Sequence, residues 1–211
     1  MPRFLLTILS LLPCLTLPIL AHAEDTAPPS WSFDIKGGRF TPALKNWKTY
    51  YGSDTLPQFS AALAWKPLRM LDVGVEAAYL HDSGVGDFPI QGGQGGDVSY
   101  TLYPLGVYAV ARGVFHEGQW LVPYIGAGAT RVYYEQKIKF QDKVQGKTNG
   151  VYYKGGLQLL LDNLDRGASN NLASHGINNT YLIIEAQRLT AEIDHVKLGG
   201  TSYQLGLLFE F

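Results

Sequence analysis

The chain has 211 residues, 17 Lys and Arg against 18 Asp and Glu, and a net charge of −1, so it offers no basic surface for nucleic acid. Its single cysteine, Cys14, leaves no disulfide framework and no thiolate chemistry in a processed chain. With 46% hydrophobic residues there is enough for a core, and the 24 Gly and 13 Tyr suit many short strands with interfacial aromatics.

Residues 1–23 read as a secretory signal peptide. Arg3 is basic, Phe4 to Leu20 is apolar but broken by Pro13 and Pro18, and Ala21-His22-Ala23 is a small-x-small cleavage site. Losing Arg3 leaves 16 basic against 18 acidic residues, a net charge of −2 on residues 24–211. Glu24 to Ser30, with Pro28 and Pro29, is a short lead into one barrel domain.

Trp31, Phe33 and Ile35 alternate with Ser32, Asp34 and Lys36, which predicts a first strand to about Phe40. A second runs from Gln58 to Trp65, with Phe59, Ala61, Leu63 and Trp65 on its apolar face. Lys66-Pro67-Leu68-Arg69 turns the chain into a third strand, where Leu71, Val73, Val75, Ala77 and Tyr79 oppose Asp72, Gly74, Glu76 and Ala78. Pro104 cannot donate to a ladder, so regular pairing in the fourth strand is expected from Pro104 to Arg112, with Tyr100 and Tyr103 just outside it. The fifth strand, Leu121 to about Glu135, turns Ile125, Ala127 and Ala129 outward and its glycines inward. In the sixth, Val151, Tyr153, Leu157, Leu159 and Leu161 face out, and Tyr152, Lys154, Gly156 and Gln158 face in. The seventh, Asn179 to Thr190, sets Leu182, Ile184 and Ala186 against Glu185 and Gln187.

The last strand, Thr201 to Phe211, alternates throughout. Tyr203, Leu205, Leu207, Phe209 and Phe211 share one face, and Ser202, Gln204, Gly206 and Glu210 share the other. An amphipathic strand closing on an aromatic suits a transmembrane barrel, whose final ring sits at the lipid interface. The expected fold is therefore all-β, a closed antiparallel eight-stranded barrel in the bacterial outer membrane. Lys66–Met70 and Gly113–Gln119 are short periplasmic turns in this reading, and Asp162–Asn178 is a longer one with a short helix over Ala168–Ala173. Thr41–Pro57, His81–Asp97, Gln136–Asn149 and Ala191–Gly200 are the longer outer loops.

Pro123-Tyr124-x-Gly126-x-Gly128, the strand count and the Phe211 terminus resemble the small OmpW- and OmpA-like outer-membrane barrels. That resemblance implies contact with outer-membrane lipid, insertion by the barrel-assembly machinery and no cofactor. Gln204, Gly206, Phe209 and Phe211 resemble the C-terminal signal which that machinery reads. OmpW-like members are linked to passage of small hydrophobic compounds. The inward set here is polar instead: Asp34, Lys36, Asp72, Glu76, Lys154, Gln158, Glu185, Gln187 and Gln204.

An unpaired charge in low dielectric is costly, so Lys36 and Lys154 should lie near Asp34, Glu76 or Glu185, with Glu185 and Lys154 expected as a coupled pair. The inward charges are read as a network that fills the lumen; the alternative is a selective water pathway. His81-Asp82-Ser83 is a weak catalytic candidate, since a His-x-Ser pair beside a carboxylate could activate a hydroxyl toward an acyl ester. A polar start to a loop explains the same residues. His116, His175 and His195 lie singly, without metal-ligand spacing. The chain reads as a structural or surface-interaction barrel with an unidentified extracellular partner and no enzymatic activity. A narrow solute channel is second, and a lipid A-modifying acyl hydrolase third.

Overall fold

The computed structural model describes residues 30–43, 47–48, 52–85, 97–138, 143–164, 166–193 and 196–211. The signal-peptide reading of residues 1–23 and the loop residues Gly92 to Gly96 and His195 lie outside that set.

Eight long antiparallel strands close on themselves. They are β1 (Trp31–Pro42), β2 (Leu56–Leu68), β3 (Leu71–Val85), β4 (Asp97–Arg112), β5 (Leu121–Ile138), β6 (Val144–Leu160), β7 (Asn179–Ile193) and β9 (Gly200–Glu210). Each pairs with its neighbours in chain order, and β1 pairs with β9 to shut the barrel. A two-residue strand, β8 (Val196–Lys197), extends the β7 edge. Helix α1 (Arg166–Ala173) occupies the long connection between β6 and β7, where the sequence places one.

Alternation decides which way every side chain points. Lipid-facing positions carry Ile35, Val75, Val107, Ile125, Ile184 and Leu205, and Ile125 is 70% exposed. So many bare aliphatic residues in one continuous belt are stable only against hydrocarbon. Trp31, Trp65, Trp120 and Phe211 mark the margin of the belt nearest the turns at residues 69–70 and 113–120. Phe59, Tyr79, Tyr103, Tyr133 and Tyr203 mark the other margin, here called the loop end. Aromatic girdles at both interfaces are the expected anchors of such a belt.

Several sequence expectations need correction: β2 runs to Leu68, into the turn expected over Lys66–Met70, and β3 runs to Val85, into the loop expected over His81–Asp97. β4 begins at Asp97, not at Pro104, so Tyr100 and Tyr103 lie within it. Pro104 lies mid-strand, and the β3–β4 ladder lapses between Ala77↔Leu105 and Leu80↔Leu102 while Pro104 still pairs with Val132 on β5. A closed barrel thus accepts the missing donor as a local gap on one side. The loop expected over Gln136–Asn149 is mostly hairpin, because β5 runs to Ile138 and β6 starts at Val144. Much of the loop expected over Ala191–Gly200 is likewise sheet, since β7 reaches Ile193 and pairs with β8. Polar strand ends beyond the membrane keep their pairing in water, and hydropathy does not register that.

Two glycine sites make the interior possible. Gly128 lies opposite Tyr152, and a Cβ there would sit 2.6 Å from the tyrosine ring. Gly206 lies opposite Lys36, and a Cβ there would sit 2.1 Å from the Ile35 carbonyl and 2.6 Å from Lys36 Cγ. The bare backbone gives the large inward side chains their room.

The belt carries a direct test. Leu157, opposite Ile184 and Pro123, lies deep in it, whereas Val151, opposite Thr190 and Ala129, lies toward the loop end. Leu157→Arg should cost roughly 2–4 kcal/mol and Val151→Arg roughly 0–1. Reversible urea unfolding in lipid vesicles measures both, and equal costs would contradict the assigned depths.

Candidate functional site

The lumen is layered along the barrel axis. Toward the turn end, Glu210 is the acceptor for three donors. Arg112 Nη1 donates to its Oε1 at 2.5 Å, Lys66 Nζ donates to the same oxygen, and Asn179 Nδ2 donates to Oε2 at 2.8 Å. Arg112 also donates through Nε and Nη2 to Gln158 Oε1, at 3.0 and 2.7 Å, and lies 3.8 Å from Asp72 and 5.4 Å from the centre of the Tyr181 ring. This layer holds two cations and two carboxylates.

The middle layer is built on Lys36. Its ammonium lies 3.0 Å from Glu185, 3.4 Å from Asp34 and 3.9 Å from Glu76. Lys154 donates to Glu76 at 2.6 Å and stands 3.6 Å above the centre of the Tyr108 ring. Tyr124 Oη donates to the second Glu185 oxygen at 2.8 Å. Ser60 donates to Gln204, and Gln204 in turn donates to Gln187. Glu185 is thus partnered by Lys36, not by Lys154 as expected, and Lys154 by Glu76. Strand adjacency does not decide this: Lys154 lies on β6 directly beside β7, and Lys36 lies two strands away across β9, yet Lys154 reaches over the lumen to Glu76 and leaves Glu185 to Lys36.

Toward the loop end the lumen turns apolar. Phe40, Leu56, Leu80, Leu102, Val132 and Leu189 all point inward, and Trp47 packs edge-on against Tyr100 at 5.1 Å. A void of about 20 Å³ remains between Phe40, Leu80, Leu102, Tyr152 and Leu189, room for a water or two. This lid was not anticipated, although each of its members shares the inward parity of a polar residue on the same strand.

All nine residues expected in the lumen face inward; Asp34, Lys36, Asp72, Glu76, Lys154, Gln158, Glu185 and Gln204 are buried and Gln187 half-buried. The sequence reading left out Arg112, Lys66 and Tyr124, and did not use Glu210. Glu210 was on the polar face with Gln204, and Arg112 has the parity of Tyr108 and Val110, so both were discoverable from alternation. Of the supposed assembly residues, Gln204 and Gly206 face the lumen and Phe209 the lipid side. Phe211 exchanges backbone hydrogen bonds with Trp31 at the turn-end girdle.

His81, Asp82 and Ser83 are not brought together. His81 and Ser83 face outward, and the His81 ring pairs with Thr101 Oγ1 at 3.0 Å and stacks on Tyr79. Asp82 faces inward and accepts the Ser83 backbone N–H, while partial burial raises its carboxyl above the ordinary value. The His116 ring contacts the Glu117 carbonyl and the His175 ring the Asn171 carbonyl, each within its own connection.

Closed strands, a bare apolar belt, two aromatic girdles and a filled lumen define a transmembrane β-barrel of the outer-membrane type. Solved structures agree on the fold. The chain is similar to the Neisserial surface protein A, at 11% identity and TM-score 0.61, covering 88% of this chain and 100% of that one. It is also similar to OprG from Pseudomonas aeruginosa, at 11% identity and TM-score 0.59, covering 88% and 98%. Ail, the attachment invasion locus protein of Yersinia pestis, is similar at 14% identity and TM-score 0.51, covering 88% and 100%. No family model matches the chain, and no curated protein matches it.

Proposed function

We propose that this chain is a closed outer-membrane barrel with a structural or surface-interaction role, which holds its loop end toward the exterior. The observation that carries this reading is the lumen. Two charged layers, paired across the barrel, lie under an apolar lid, and the void beside the lid holds no more than a water or two. Connection lengths support the orientation: the turns at residues 69–70 and 113–120 belong to the end where β1 starts and β9 finishes. Ail, one of the similar structures, is described in complex with a heparin analogue, which is in keeping with a surface-interaction role.

Purified protein in planar lipid bilayers should be electrically silent. Discrete conductance steps from the wild-type barrel would overturn the closed reading and favour a narrow channel. A change in lipid A mass on incubation with the protein would favour the hydrolase instead, against the separation of His81 from Asp82.

A further inference from the structure

The lipid-facing surface differs around its circumference at the loop end. Arg39 on β1, Arg131 on β5 and Arg188 on β7 share the outward parity of Ile35, Ala129 and Ile184, and all three are exposed. Strand register compares their heights. Arg39 pairs with Tyr203 and Arg188 with Thr201 on the intervening β9, while Arg131 pairs with Asn149 and Arg188 with Tyr153 on the intervening β6. The three arginines therefore stand on alternate strands along one margin of the belt, Arg39 and Arg188 offset by two residues and Arg131 and Arg188 by four, which sets neighbours roughly 12 and 16 Å apart on the barrel wall. On the other half of the circumference that margin is made by Phe59, Tyr79 and Tyr103, and no described Lys or Arg of β2, β3 or β4 faces lipid.

Each guanidinium is held by a neutral oxygen. Arg39 donates to Thr55 at 3.3 Å, Arg131 to Asn149 at 3.0 Å and Arg188 to Thr201 at 2.7 Å. Among the described residues none of the three has a carboxylate within ion-pair distance, whereas Lys137 and Lys143, farther out, both flank Glu135. Three permanent charges are thus oriented but not neutralised, at the level where hydrocarbon gives way to headgroups. Arginines that only snorkel to the interface need no common side of the barrel. A planar guanidinium fork does suit bidentate contact with phosphate.

We propose that this arc binds the phosphate groups of a phosphorylated glycolipid of the lipid A class, with its acyl chains lying on the belt below. The proposal rests on the outer-membrane reading but not on the closed lumen, because a conducting barrel would retain such a lipid equally well.

The test uses the full barrel in phosphatidylcholine nanodiscs doped with either bisphosphorylated or dephosphorylated lipid A. Native mass spectrometry after mild detergent extraction counts the lipid retained. Wild type should retain the bisphosphorylated form about tenfold better. Arg39→Gln, Arg131→Gln and Arg188→Gln together should abolish that preference, with heat-modifiable gel migration showing that the barrel is folded. The control Lys48→Gln, Lys137→Gln and Lys143→Gln removes the same number of charges and should keep it. Should the triple arginine variant not fold, Arg188→Gln alone should reduce retention about threefold. No preference for the phosphorylated form in wild type, equal loss in the control, or unchanged retention in the folded arginine variants would each overturn the proposal.

Discussion

Replacing Lys36 with Met should cost about 3–5 kcal/mol of folding stability, because it strands buried carboxylates whose shared cation is gone. Lys36 lies within 4 Å of Glu185, Asp34 and Glu76, and its side chain is 1% exposed. Only Glu76 has a second ammonium, that of Lys154, at 2.6 Å. The middle layer already holds three carboxylates against two lysines among the described residues, so losing one lysine enlarges an existing imbalance. Neutralising an acid should work the other way. Asp34 Oδ1 is buried without a hydrogen bond, its lysine being 3.4 Å away. Asp34→Asn should therefore lie between no change and about 1 kcal/mol of added stability. Added to Lys36→Met, it should recover part of the loss. Urea unfolding in vesicles, followed by tryptophan fluorescence, measures all three. A Lys36→Met barrel no less stable than one with surface Lys48→Met would show that the layer is solvated and the lumen open.

The facing of residues was legible in the sequence because a strand offers only two faces, and lipid tolerates only one kind of residue on its side. Lys36, Glu76, Lys154 and Glu185 were placed inward on that ground alone. Their partners were not legible, since Glu185 and Lys36 are 149 residues apart and meet only through barrel closure and register. Strand ends were misjudged where hydropathy stops but hydrogen bonding continues, as at Gln136 to Asn149. Pro104 misled in the other direction, because a barrel can skip one rung beside it. The apolar lid escaped notice for a different reason. Leu80 and Leu102 alternate in phase with polar residues, and the expectation of a polar lumen left them without a role. Arg39, Arg131 and Arg188 show the same alternation, but their common side of the barrel exists only once β1 has met β9.

Glu210→Leu should be as damaging at the turn end, at about 3–5 kcal/mol, since it removes the acceptor of Lys66, Arg112 and Asn179 together. Arg112 would retain Gln158 Oε1 and, at 3.8 Å, Asp72. Lys66 would retain no carboxylate contact among the described residues. The second substitution that rescues the first is therefore Lys66→Met, because it leaves one cation, Arg112, facing one carboxylate, Asp72. Glu210→Leu with Lys66→Met should recover most of the lost stability. Glu210→Leu with Arg112→Met should recover less, because it also strands Gln158 and leaves Lys66 and Asp72 without the contacts that now hold them. This ordering follows from which charges touch and not from how many are present, as both double variants remove one acid and one base. Equal stability of the two would mean that the turn-end layer acts only through net charge, and that the contacts at Glu210 do not hold the barrel's end together.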